Sequence, residues 1–277
     1  MRVWMNGRVL ESPGDPVLGV NDHGVVVGDG VFETIAVTQG RPFAVTRHLD
    51  RLERSAQGLG IARPDVEALR AGIDATLEGQ ELPFGRIRIT VTSGPGPLGS
   101  PRGDGPLTQI VATEPCAAQP PVARLVTVPW ARNEKGALAG LKTTSYAENA
   151  KMIEVARAAG ATEAVMSNTI GDLCEGTGSN VFYVLDGQIV TPTLASGCLA
   201  GITRALALEW LAAELDVVER DAPIDVLREA DEVMLVGTTR NVQAIEKVDD
   251  RMLDAPGPLT VRAREIWDAR AREHDDP

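Results

Sequence analysis

The chain has 277 residues, 43% of them hydrophobic, and a formal net charge of −12. That is enough apolar material for a full core in one or two domains, while the acidic balance argues against nucleic acid, whose phosphates bind basic faces. The sequence shows no apolar leader segment and no stretch of about 18 apolar residues that could span a membrane. Its three cysteines, Cys116, Cys174 and Cys198, form no Cys-x-x-Cys pair, so the expectation is a soluble cytoplasmic protein without a disulfide framework.

In chain order, residues 3–10 read as two short strands around Asn6-Gly7, the strongest short hairpin signal. Residues 31–37 alternate as a strand, and Gln39-Gly40 turns the chain toward 42–45. Thr46 suits the N-cap of a helix carrying Leu49, Leu52, Ala56 and Leu59 along one side. A second helix is expected over 64–77, then strands over 85–92 and 107–112, so the first part reads α+β. Between those strands, residues 93–106 are rich in glycine and proline, the composition of a mobile loop of the kind that often covers a site. Pro120-Pro121 stiffens a linker over 117–122, which separates a domain of residues 1–116 from one of residues 123–277. In the second domain, strands are expected at 123–128, 161–166 and 180–185, and at 188–190 after an Asp186-Gly187 turn. Helices are expected at 148–159 and, strongly amphipathic, at 203–215 with Leu206, Trp210 and Ala213 inward. A buried strand from 231 ends in the small-residue turn Gly237-Thr238-Thr239, and a charged surface helix covers 259–272.

The histidines, His23, His48 and His274, have no ligand spacing, so no metal site is expected. A Gly-x-Ser-x-Gly elbow is absent, and Gly28-Asp29-Gly30 precedes a strand, which excludes a dinucleotide fingerprint. What remains is one lysine in an informative setting. Lys142 lies in Gly140-Leu141-Lys142-Thr143-Thr144-Ser145-Tyr146, and farther along come Cys174-Glu175-Gly176-Thr177-Gly178-Ser179-Asn180 and Gly201-Ile202-Thr203-Arg204. An amine able to form a Schiff base, a carboxylate on a glycine-rich turn able to pair with a pyridinium nitrogen, and a helix N-terminus able to hold a phosphate together meet the needs of a pyridoxal-phosphate site.

With Val20-Asn21-Asp22-His23-Gly24, Gly28-Asp29-Gly30-Val31-Phe32-Glu33-Thr34 and His48-Leu49-Asp50-Arg51-Leu52 added in order, nearly the whole chain resembles the fold-type IV (class IV) pyridoxal-phosphate enzymes. These comprise branched-chain aminotransferases, D-amino-acid aminotransferases and aminodeoxychorismate lyases. The resemblance implies an α+β, two-domain fold with a small N-terminal α/β sandwich domain and a larger C-terminal pseudo-barrel domain. It implies that Lys142 forms the Schiff base with pyridoxal 5′-phosphate and then moves the substrate proton, with burial after Leu141 lowering its pKa. By the same resemblance Glu175 keeps the pyridinium nitrogen protonated, Tyr146 contacts the ring oxygen and Arg51 binds the phosphate. Ile202 and Thr203 would add donors at a helix N-terminus. Thr238 and Thr239 would bound the phosphate and the substrate carboxylate, and Asn180 would support the glycine turn. A homodimer with shared active sites is implied, in which the 93–106 loop of one chain reaches the other's site.

Within the family, Gly237-Thr238-Thr239 resembles the transaminases more than the lyases. Outside the charged tail no Arg-x-His pair stands ready to trap a carboxylate, and Val25 and Phe32 occupy positions where D-amino-acid aminotransferases often have tyrosines. The aromatic residues a branched-chain pocket would use are thin, with four Phe and two Tyr in all. Arg88, Arg102, Arg132 and Arg240 are the candidate carboxylate clamps. The expectation is a transaminase acting between an amino acid and a 2-oxo acid, leaning toward D-amino acids with a non-standard carboxylate site. The alternatives are 4-amino-4-deoxychorismate lyase, which forms 4-aminobenzoate and pyruvate by elimination, and a branched-chain L-amino-acid aminotransferase.

Overall fold

The computed structural model describes residues 1–277 and divides into two compact units. The first comprises Met1–Ala118, Leu141–Tyr146 and Asp275–Pro277; the second comprises Gln119–Gly140 and Ala147–His274.

In the first unit, β1 (Arg2–Met5) and β2 (Arg8–Val9) form the expected hairpin, with Asn6 at φ 44° and Gly7 at φ 94° as a primed turn requires. After a short helix α1 (His23–Val26) come β3 (Gly30–Thr38), β4 (Arg41–Pro42), α2 (Val45–Leu59), α3 (Val66–Leu77), β5 (Phe84–Thr92) and β6 (Thr108–Pro115). The six strands make one antiparallel sheet in the order β2-β1-β6-β5-β3-β4. Strand alternation puts Val31, Ile35, Val37, Ile87, Ile89, Val91 and Val111 on one face, where they join Leu49, Leu52 and Ala56 of α2 and Leu69 and Ile73 of α3 in the core. The other face carries Phe32, Thr34, Arg86, Arg88 and Ala112.

The start of α2 differs from the expectation. Thr46 is not its N-cap; the helix begins at Val45 after Ala44, which has φ 56° and no side-chain cap. The cap comes from the far end of the chain, where Asp276 accepts hydrogen bonds from Thr46 N (2.9 Å) and Thr46 Oγ1 (2.6 Å). The 93–106 loop is tied down more than its composition suggests. Gly96 N donates to Asn21 O, His23 Nε2 donates to Pro97 O (2.9 Å), and Arg102 forks onto both oxygens of Asp29 at 2.7 Å.

The second unit holds β7 (Val122–Thr127), α4 (Ala147–Ala158), β8 (Glu163–Ser167), β9 (Leu173–Gly176), β10 (Asn180–Leu185) and β11 (Gln188–Thr191). Then follow α5 (Ile202–Leu211), β12 (Val217–Glu219), β13 (Glu232–Gly237), β14 (Asn241–Val248), β15 (Arg251–Met252) and α6 (Pro258–Glu273). The mixed sheet runs β12-β11-β10-β13-β14-β7-β8-β9, with β15 paired to β14. β9 lies at one edge, yet only Thr177–Ser179 separate it from β10 near the other. The sheet must therefore curl back on itself, which gives the incomplete barrel of an α+β, two-domain fold. Its core includes Leu125, Val165, Val181, Tyr183, Leu235 and Ile245.

Two helices depart from the sequence reading. α5 stops at Leu211, where Ala212 N bonds back to Leu208 O and turns take over. α6 is half-buried, with Ala263, Ile266 and Trp267 in the interior and Trp267 packed 4.9 Å from Trp210. Strands β9, β12, β14 and β15 were not expected; β14 mixes apolar residues with Gln243, Glu246 and Lys247 and reads as polar. No helix is long and apolar enough to cross a membrane, and all three cysteines are free thiols.

Candidate active site

In the first unit the Lys142 segment lies along the start of β3. Phe32 N donates to Lys142 O (2.9 Å), Thr144 N donates to Gly30 O (2.8 Å), and Thr144 Oγ1 donates to Gly28 O (2.7 Å). Gly30 is needed for this approach, since a Cβ there would sit 3.1 Å from Thr144 Oγ1 and 2.8 Å from Val91 O. Lys142 itself is half-buried, and its backbone N donates to Ser55 Oγ on α2 (3.2 Å). Its Nζ lies 4.3 Å from the centre of the Phe32 ring and 5.5 Å from that of Tyr146, and the two rings meet edge to face at 5.0 Å.

Arg88 joins this cluster from β5, with its guanidinium carbon 3.3 Å from the centre of the same Phe32 ring. The residue is exposed overall, but its head group shelters against the ring, and burial lowers its pKa to about 10, against the opposing pull of Tyr146 and Glu33. It stays a cation near neutral pH and has no carboxylate partner. Arg86, two residues before it, is instead forked onto Glu114. A cavity of about 350 Å³ is lined by Met1, Thr34, Arg86, Arg88, Ala112 and Glu114.

Arg51 is buried and gives Nε and Nη2 to the two oxygens of Glu33, each at 2.7 Å. His48 Nδ1 lies 2.7 Å from Glu33 Oε2. Burial raises the Glu33 pKa, but the charge and hydrogen bonds of Arg51, with the bond from His48, win and hold it well below the usual carboxylate range. Burial lowers the pKa of His48 despite Glu33, so His48 is a neutral ring that donates Nδ1–H to an ionised carboxylate. Sequence reasoning assigned no role to Glu33 or His48. The available signal was a carboxylate in the apolar phase of β3, among Val31, Ile35 and Val37.

In the second unit Glu175 lies within strand β9, one residue before its end, rather than on the glycine turn. Its Oε2 accepts from Leu199 N (2.9 Å), and its Oε1 lies 3.3 Å from Arg132 Nε. Arg132 also pairs with Glu148 at 3.8 Å. Asn180 opens β10 and donates to Leu199 O (2.9 Å). The next turn of chain starts α5 at Gly201, which offers no side-chain cap to the N–H groups of Ile202 and Thr203. A Cβ on Gly201 would lie 2.0 Å from Asn180 Oδ1, so only glycine lets this helix end come so close to β10. Thr238 and Thr239 are half-buried in the turn between β13 and β14, which Arg240 N closes onto Gly237 O (2.9 Å).

Of the other candidate clamps, Arg102 is committed to Asp29 and to the Leu59 and Gly60 carbonyls. Arg240 is committed to Glu163 (3.1 Å) and Gln243. Val25 is exposed on α1. Each unit offers groups of the kind pyridoxal phosphate needs: the first an amine beside aromatic rings, the second a buried carboxylate and a helix N-terminus whose N–H groups no side chain caps.

Comparison with known proteins agrees. The profile of the family described as "Amino-transferase class IV" matches residues 30–248. A Methanocaldococcus jannaschii protein named "Putative branched-chain-amino-acid aminotransferase" is 32% identical over 96% of this chain and 94% of its own. The D-alanine aminotransferase of Bacillus licheniformis is 29% identical over 94% of this chain and 93% of its own. The structure of a hypothetical aminotransferase from Mycobacterium tuberculosis, in its pyridoxal-phosphate-bound form, superposes with a TM-score of 0.86 at 26% identity, covering 97% of this chain and 98% of that one. This chain belongs to the class IV aminotransferases and is a pyridoxal-phosphate enzyme.

Proposed function

We propose that this enzyme moves the amino group between D-amino acids and 2-oxo acids, with Lys142 as the residue that carries the cofactor. One observation supports this most: Arg88, a cation without a carboxylate partner, shares the Phe32 ring with the Lys142 amine. A substrate whose carboxylate pairs with Arg88 is brought beside that amine. Arg88 also lines a cavity with Met1, Thr34, Arg86, Ala112 and Glu114, where a substrate carboxylate would meet its guanidinium. The D-alanine aminotransferase relative acts on a substrate of this kind.

In this reading bound pyridoxal phosphate supplies the electron sink that makes the substrate Cα–H acidic. Lys142 Nζ removes that proton and returns it, as a general base and then acid. Glu175 keeps the ring nitrogen protonated, Tyr146 hydrogen-bonds the ring oxygen, and Asn180 holds the adjoining turn. The phosphate is held by Arg51, oriented by Glu33, together with the first turn of α5 at Ile202 and Thr203 and with Thr238. Thr239 and Arg88 receive the substrate carboxylate, while Arg102, Arg132 and Arg240 act as struts for Asp29, Glu175 and Glu163. The chain works as a cytoplasmic homodimer, supported by its free thiols and by the exposed Leu18, Val20, Val25, Val27 and Leu98.

The test is the visible absorption of the purified, cofactor-loaded protein. D-Alanine or D-glutamate should bleach the band, and 2-oxoglutarate should restore it; Lys142→Ala should have no such band. A band that ignores D-amino acids but responds to L-leucine would give the protein to the branched-chain enzymes. Formation of 4-aminobenzoate and pyruvate from 4-amino-4-deoxychorismate would give it to the lyases.

A further inference from the structure

Glu163 opens β8 and is 1% exposed, which is costly for a charge unless donors surround it. Its donors are specific. Oε1 accepts from Thr177 N (3.1 Å), from Thr177 Oγ1 and from Ala164 N (3.1 Å). Oε2 accepts from Ser179 Oγ and from Arg240 Nη2, each at 3.1 Å. Apart from the neighbouring amide, every donor lies on one of two turns. The first, Thr177–Ser179, follows Gly176 at the end of β9, one residue beyond Glu175. The second, which ends in Arg240, carries Thr238 and Thr239.

The two turns lie at the same end of adjacent strands, since Asn180 of β10 pairs with Val236 of β13. A Cβ on Gly237 would lie 3.4 Å from Gly178 O, so they approach closely. Arg240 extends the brace, bonding Gln243 Oε1, while Gln243 Nε2 donates to Pro120 O (2.7 Å). The Thr177 carbonyl is held separately by Asn149 Nδ2 (2.6 Å). The strand ladder alone sets the β10–β13 register; it does not set the height of the two turns above it.

We propose that Glu163 is a positioning residue for the cofactor. Its carboxylate, with Arg240, locks the turn after Glu175 to the turn bearing Thr238 and Thr239, so that the ring-nitrogen carboxylate and the threonine donors are held in fixed relation. The inference rests on the proposed roles of Glu175, Thr238 and Thr239. It also makes Arg240 part of the brace rather than a substrate ligand.

The experiment measures pyridoxal-phosphate affinity by titrating apoenzyme, together with the melting temperature of the apoenzyme and the visible circular dichroism of the bound cofactor. The variants are Glu163→Gln, Arg240→Met and the double. Each single change should weaken cofactor binding about tenfold or more and alter the cofactor's dichroism. The double should be no more than about twofold weaker than the worse single, because both break one brace. Affinity and dichroism unchanged in the singles overturn the inference, whether or not the apoenzyme melts lower. If Glu163→Gln does not fold, the half-buried Arg240→Met decides by the same readouts. Wild-type protein that binds pyridoxal phosphate no better than Lys142→Ala would instead defeat the underlying reading of the site.

Discussion

At Phe32 two cations sit against one aromatic ring, and they differ in what they can do. Lys142 has the titratable amine that proton transfer needs, whereas Arg88 stays charged and can only bind. Arg88→Leu is therefore expected to raise KM for the amino acid by roughly 10- to 100-fold, since a charge-assisted hydrogen bond contributes about 1.5–3 kcal/mol. The cofactor spectrum should stay intact; an unchanged KM would remove Arg88 from the substrate site. The Glu33–His48–Arg51 cluster makes a different prediction, in pH. The pKa of His48 is lowered in the fold from its ordinary value of 6.5, so the unfolded chain takes up that proton first. Its contribution to stability is present above 6.5 and is lost as pH falls from there through the lowered value. Glu33, held below its ordinary 4.5, loses its contribution only as pH falls further. Melting temperature measured against pH should thus decline in two stages, and His48→Gln should flatten the upper one alone. Equal slopes in variant and wild type would count against a buried neutral His48. Lys142, Glu175 and Arg51 stand out in the sequence because their types and order resemble a known pattern. Glu33 and Glu163 do not, because a buried carboxylate is recognised only through the donors that surround it.

At the scale of elements, α2 carries both His48 and Arg51, so whatever sets its first turn also sets part of the site. Ala44 cannot cap it, and Asp276 does, which places a carboxylate where the helix dipole favours negative charge. Asp276→Ala should cost about 1 kcal/mol, or about 2–4 °C in a calorimetric melt. A variant that melts with wild type would mean that solvent serves Thr46 equally well. α6 has a similar device: Glu232 accepts from Leu259 N, Thr260 N and Thr260 Oγ1 at 3.0, 2.7 and 2.6 Å. Both caps come from residues remote in sequence, so local cap rules could not find them. The same rules place the Asn6-Gly7 hairpin and β3 closely, because turn chemistry and strand alternation are local.

At the scale of the whole molecule, Leu18, Val20, Val25, Val27 and Leu98 are exposed in the first unit, with Val20 at 85% and Leu98 at 77%. A contiguous exposed apolar patch marks an interaction surface, and these side chains are the candidates for one. A second copy of the chain is the proposed cover. Val20→Asp combined with Leu98→Asp should shift the sedimenting species from dimer to monomer at micromolar concentration. A wild-type protein that already sediments as a monomer would refute the dimer.

The family, Lys142 as the candidate Schiff-base lysine, and most strands and helices are legible in the sequence. Those depend on residue type, short-range periodicity and turn chemistry, all local. It also narrowed the carboxylate clamp to four arginines. What separates them is the fold, which brings Asp29 to Arg102, Glu175 to Arg132 and Glu163 to Arg240 and leaves Arg88 against an aromatic ring, the arrangement on which the proposal for Arg88 rests. A guanidinium's role is set by the nearest carboxylate, and that neighbour is chosen by the fold, not by sequence spacing.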